Sequence, residues 1–133
     1  MSKQIINTSN APAPIGPYSQ AVKTGNLLFV SGQVAIKPST GEMANSDIIE
    51  ETHQVLQNLK SILAEAGMNF SHIVKTTIFL SDMNLFGQVN EIYAKYFDGD
   101  LPAGQASFPA RETVAVKGLP KNANVEISVI ASA

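Results

Sequence analysis

The chain has 133 residues, 9 Lys and Arg against 11 Asp and Glu for a formal charge of −2, two histidines and no cysteine. That length suits one domain with a core, expected to span 1–133, and the missing cysteines exclude a disulfide framework, a thiol nucleophile and a thiolate metal site. The pI near 5.6, with no cluster of Lys and Arg, lacks the electrostatic footprint of a nucleic-acid binder, and His53 and His72 have no metal-ligand spacing.

The opening MSKQIINTSNAPAPIGPYS has no apolar h-region, and no stretch approaches the length of a membrane span, so the cytoplasm is the expected location, with no membrane partner. After this Pro-rich lead, SQAVKTGNLLFVSGQV reads as two short strands around a Thr24-Gly25-Asn26 turn. KPSTGE is a loop of turn formers. From Asp47 the period changes: Ile48, Thr52, Val55, Leu56, Leu59, Ile62 and Leu63 recur at three- and four-residue steps and predict a helix. Asp47 with Glu50 offers a capping box, and Gly67 a stop. IVKTTIFLSD alternates and is β-branched, so a strand is expected, and NLFGQVNEIYAKYF returns to helical spacing. The loop DGDLPAGQAS follows, and then two strands near 111–116 and 124–132.

The order β-β-α-β-α-β-β predicts an α+β fold, one sheet with two helices on a single face. Several strands are apolar on both sides, as with Leu28 and Val30 against Leu27 and Phe29, so the uncovered face calls for a homo-oligomer packed sheet against sheet.

FPARETVAV, residues 108–116, sets a permanent cation at the mouth of a buried-looking strand. If the last two strands form a hairpin with their valines towards the helices, Thr113 falls opposite Glu126, and Arg111 and Glu126 share the face that looks towards the oligomer contact. A charge there is costly unless it is paired. Two readings stand: an Arg111–Glu126 or intersubunit ion pair, or a guanidinium fork that grips an anionic substrate while Glu126 handles a water or a proton.

Read together and in order, APIGPYSQAV, LLFVSGQVAI, NLKSILAEAG, VNEIYAKYF, FPARETVAV and LPKNANVEISVIA resemble the Rid family, the reactive intermediate deaminases of YjgF type, over nearly the whole chain. The RidA-type branch is indicated because the arginine and the glutamate are both present. The resemblance implies a chorismate-mutase-like fold and a homotrimer whose sheets line a central barrel, with clefts between subunits. It also implies cofactor-free hydrolysis of enamines and imines such as 2-aminoacrylate to 2-oxoacids and ammonia.

By the same resemblance Arg111 binds the substrate carboxylate, Glu126 positions water, and Tyr18 borders the pocket and completes the catalytic set. Ser31, Gly32, Asn90 and Thr113 join Arg111 in holding the substrate. From the residues alone, Tyr18 reads as a half-buried core tyrosine, Ser31 as a strand end, Gly32 as a bulge, and Asn90 as a helix cap or interhelix contact. The chain departs from the family pattern in carrying Thr113 where cysteine is frequent, Glu112 where serine is frequent, and a longer loop over 98–107. Two other functions compete: a non-catalytic trimer that binds small carboxylates and regulates a partner, and the RNA cleavage or translation inhibition attached to some relatives.

Overall fold

The computed structural model describes residues 2–98 and 107–133. Six strands form one sheet: β1 (Gln4–Ile6), β2 (Ala21–Thr24), β3 (Leu27–Gln33), β4 (Ile73–Leu80), β5 (Ala110–Ala115) and β6 (Val125–Ser132), ordered β1-β2-β3-β6-β4-β5. Helices α1 (Ile48–Glu65) and α2 (Phe86–Asp98) complete the fold. The sheet is mixed: β4 and β5 run parallel, and every other pair is antiparallel.

The helical and strand periods are realised where the sequence places them. Asp47 accepts a hydrogen bond from the Glu50 backbone N–H at 2.7 Å and starts α1. The reciprocal half of the box is displaced by one residue, because the Glu50 carboxylate turns to Ser46. Gly67 takes φ +74° just past α1, a conformation that costs glycine little. Between β2 and β3 the link is tight, with Thr24 paired to Leu27 and Gly25 at φ +57°. The first strand, β1, was not anticipated; it pairs with β2 from within the lead.

The larger correction concerns the last two strands. The expected β5–β6 hairpin does not form: β5 lies at the sheet edge beside β4, and β6 runs between β3 and β4. Two physical causes act together. A chain that leaves β4, crosses through α2 and returns to the same sheet comes back parallel. The inward row of β6, Val125, Ile127, Val129 and Ala131, is the most completely apolar in the sheet and is buried throughout; a hairpin partner for edge strand β5 would have left that row short of cover.

That row, with Leu28, Val30, Ile78 and Leu80, packs against Val55, Leu56, Leu59, Ile62 and Leu63 of α1 and Val89, Ile92, Tyr93 and Phe97 of α2. Each fully buried aliphatic side chain contributes about 1.5–3 kcal/mol relative to exposure. Among the described residues no helix covers the opposite face. Along it lie Ile5, Val22, Phe29, Ile130, Phe79 and Val114, with Phe29 42% and Val114 44% exposed. A Lys75–Glu112 ion pair of 2.9 Å interrupts this apolar surface. The contacts to Thr77 and Lys75 hold the Glu112 carboxyl below the usual carboxylate range. No helix among the described residues is long and apolar enough to cross a membrane.

Candidate active site

Apart from Thr113, which lines neither, the residues singled out in the sequence fall into two clefts of one chain. The first, of about 310 Å³, is lined by Tyr18, Ser31, Gly32 and Glu126, with Ile15 and Pro120 among its apolar walls. The second, of about 300 Å³, is lined by Asn90, Tyr93, Phe108, Pro109 and Arg111.

Gln20 organises the first cleft. It is buried just before β2, where its side chain accepts from Thr8 N–H at 2.7 Å and donates to the carbonyls of Thr8 and Pro12 at 3.0 and 2.9 Å. These bonds strap the Pro-rich lead against the sheet and fix the entry to the segment that carries Tyr18. Tyr18 is 46% exposed, so it is a wall of the cleft and not a core residue, and its hydroxyl accepts from Ile15 N–H at 3.3 Å.

Ser31 is turned to structure: its hydroxyl donates to Ser19 O at 2.6 Å and its N–H to Gln20 O at 2.9 Å, which leaves the oxygen only as an acceptor. Gly32 sits where the β3–β6 register shifts, and a Cβ there would lie 2.8 Å from Glu126 Cδ. The glycine therefore leaves room for the close passage of the carboxylate across β3. Burial pushes the Glu126 carboxyl above its ordinary value, and no side-chain hydrogen bond counters this among the described residues.

The strand that carries Glu126 is anchored at its start by a residue the sequence reading left as one of many helix positions. Glu51, fully buried in α1, accepts from Asn124 N–H at 2.7 Å, Asn124 Nδ2 at 3.0 Å and Val125 N–H at 3.3 Å. Ser81 donates to Asn124 Oδ1 at 2.8 Å and, through its N–H, to Asn124 O at 2.9 Å, which ties the end of β4 into the same knot. A buried carboxyl outside any motif leaves no periodic signal; only its acid character in an otherwise apolar helical stripe marks it.

In the second cleft the expected geometry is corrected. Arg111 pairs in register with Thr76 and Thr113 with Ile78, so both lie on the helix side of the sheet, whereas Glu126 pairs with Phe79 on the uncovered side. Thr113 does not face Glu126, Val114 points away from the helices, and within one chain Arg111 and Glu126 occupy opposite faces with β4 between their strands. The intrachain ion pair is thereby ruled out.

Arg111 is instead held by aromatic rings: its guanidinium carbon lies 5.0 Å from the Tyr93 ring centroid and 5.6 Å from that of Phe86. No Asp or Glu pairs with it among the described residues. Asn90 lines the same cleft from inside α2 and is not a helix cap. The Thr113 hydroxyl is buried and has no hydrogen-bond partner among the described residues. Of the long loop singled out before the site, 98–107, residues 99–106 lie outside the described residues. Phe86 and Tyr93 were legible in the sequence only as helix periodicity, because a ring that supports a cation and a ring that fills a core share the same spacing.

Taken together, a six-stranded mixed sheet with two helices carries a carboxylate cleft on one side and an arginine cleft on the other. The family profile described as Endoribonuclease L-PSP matches residues 8–133. A RutC family protein of Pyrococcus horikoshii is 50% identical over 129 residues, covering 97% of each chain. A mouse (Mus musculus) protein named 2-iminobutanoate/2-iminopropanoate deaminase is 47% identical over 129 residues, 97% of this chain and 90% of that one. Among solved structures, the Rid family protein YyfA of Yersinia pestis, described as of unknown function, superposes with a TM-score of 0.92 at 49% identity, covering 99% of this chain and all of that one. The chain belongs to the Rid family, the YjgF, L-PSP and RutC proteins.

Proposed function

We propose that this protein is an enamine/imine deaminase that hydrolyses 2-iminoacids, including the tautomer of 2-aminoacrylate, to 2-oxoacids and ammonia without a cofactor. The observation that carries this reading is the Arg111 guanidinium, open to a cleft and supported by rings with no counter-carboxylate among the described residues. Such a fork is suited to a substrate carboxylate. The named deaminase relative supplies the reaction class.

Because Arg111 and Glu126 lie on opposite faces of one sheet, a site that uses both needs a second copy of the chain. The uncovered apolar face gives copies a reason to associate, and a homotrimer with its sheets inward and its clefts between subunits is the arrangement we propose. Arg111 of one subunit clamps the carboxylate, with Asn90 and Thr113 beside it. Glu126 of the neighbour, flanked by Tyr18, Ser31 and Gly32, takes a proton from water as the water oxygen bonds to the carbon of the protonated imine and the C=N π electrons pass to nitrogen. Glu126 returns that proton to the amine of the carbinolamine; as the C–N bond breaks and the carbonyl forms, the hydroxyl proton passes to the carboxylate and on to the departing ammonia, which leaves as ammonium. The raised affinity of Glu126 for a proton suits a base at neutral pH.

Gly32→Ala tests this placement. The added methyl meets the flexible end of Glu126, which is free to swing aside, so the fold is kept and the carboxylate displaced. We expect a melting temperature near that of the wild type with turnover lowered ~10–100-fold, since small misplacements at a reacting centre are costly. Unchanged turnover in a folded Gly32→Ala protein would argue against Glu126 as base.

The reaction itself is tested by generating 2-iminoacids with an amino-acid oxidase and following their capture by semicarbazide. Diversion to the 2-oxoacid before capture is expected. No diversion across several amino acids would leave a carboxylate-binding regulatory module as the function. The nuclease name borne by the family profile finds no support in the charge of −2; RNA binding with a steep salt dependence would be needed to favour it.

A further inference from the structure

Among the described residues Arg111 has no anionic partner in the arginine cleft, and within them something other than a salt bridge sets its direction. Among the described residues two aromatic faces lie against the guanidinium, Tyr93 at 5.0 Å and Phe86 at 5.6 Å. The two rings are not equivalent. Phe86 is exposed at the start of α2, whereas Tyr93 is buried and its hydroxyl donates to Thr76 Oγ1 at 2.9 Å. Thr76 is fully buried on β4 and is the residue that pairs in register with Arg111. The ring is therefore fixed at one end to the strand beside the arginine and at the other to α2, whatever the substrate does.

We propose that Tyr93 is a positioning residue: its tethered ring, with Phe86 as the outer wall, aims the Arg111 fork into the cleft. This rests on the reading that Arg111 holds the substrate carboxylate. A carboxylate partner would have aimed the arginine as well, but it would have occupied the donors that a substrate must use. An aromatic face attracts the cation through its quadrupole and leaves the in-plane N–H donors free. Burial keeps the Tyr93 phenol above its ordinary pKa, so the ring stays neutral and does not compete as an anion.

The test compares Tyr93→Leu, Tyr93→Phe, Phe86→Leu and Arg111→Ala by steady-state kinetics on oxidase-generated imine, with pyruvate as the binding probe. Tyr93→Leu is expected to raise both KM and the pyruvate Kd about 5–30-fold with kcat much less affected. Tyr93→Phe keeps the face and is expected to stay within about threefold of wild type. Phe86→Leu, a change at an exposed position that leaves the core intact, is expected to raise KM about threefold.

A folded Tyr93→Leu protein with wild-type KM and pyruvate affinity, beside an Arg111→Ala protein that has lost both, overturns the positioning role and leaves the function standing. If Arg111→Ala is also unchanged, the functional reading falls and takes this one with it. Should Tyr93→Leu fail to fold, Phe86→Leu decides: an unchanged KM there overturns the proposal.

Discussion

Arg111→Ala is expected to lower kcat/KM for 2-iminoacids by ~10²–10⁴-fold while the protein remains folded. The fork makes two parallel hydrogen bonds to a carboxylate, and hydrogen bonds to charged groups are worth about 1.5–3 kcal/mol each. At about 1.4 kcal/mol per tenfold, their loss accounts for that range. Both KM and kcat should suffer, because an imine that is not clamped does not meet its water in line. Folding should be little affected: Arg111 is half-buried on an edge strand and takes part in no ion pair among the described residues. Arg111→Lys keeps the charge but not the planar fork, so an intermediate loss is expected. Kinetics of the three proteins on one imine check this, and an Arg111→Ala value within threefold of wild type would remove the carboxylate clamp from the mechanism.

Glu126→Gln should separate binding from chemistry. The amide keeps the shape of the side chain but takes no proton, so kcat is expected to fall ~10²–10⁴-fold while pyruvate still binds through Arg111. The pH profile gives a second reading of the same residue. Burial raises the Glu126 pKa, so the base is lost by protonation as pH falls through a value above the ordinary carboxylate pKa of about 4.3. The acid limb of kcat/KM should therefore lie above that reference and vanish in Glu126→Gln. The linkage to stability has the opposite sense. A raised folded-state pKa means that the stabilising contribution of the protonated group is complete below the unfolded value and is lost as pH rises through the folded one. Glu126 thus opposes folding at the pH where it is ionised for work. An equal loss of pyruvate binding and turnover in Glu126→Gln would undo the division of roles.

The helices and most strands were legible because burial on one face imposes a period, and Ile48 to Leu63 or Leu28 to Val30 can hardly be read another way. The pairing of strands was less so. Alternation in 111–116 and 124–132 gives each strand two faces but not a neighbour, and the hairpin was the shortest connection; the crossover through α2 and the apolar row of β6 decided otherwise. That single difference moved Arg111 to the face opposite Glu126. Site residues were recognisable as motifs where a turn or a charge breaks the pattern, as at Gly32 and Arg111. Tyr93 and Phe86 break no pattern, and Glu51 interrupts the apolar stripe without naming its partner, since their contacts are made with residues remote in the chain.

The two halves of the site are unequally anchored. Glu126 is carried by β6, hydrogen-bonded to a strand on each side and tied at its start through Asn124 to Glu51. Arg111 is carried by β5, which among the described residues has β4 as its one strand neighbour. Elements with fewer ladder bonds open at lower free energy than those at the centre of a sheet. In the proposed mechanism this pairs a stiff jaw with a compliant one: the carboxylate keeps its place, and adjustment to imines with side chains of different length would fall to the arginine strand.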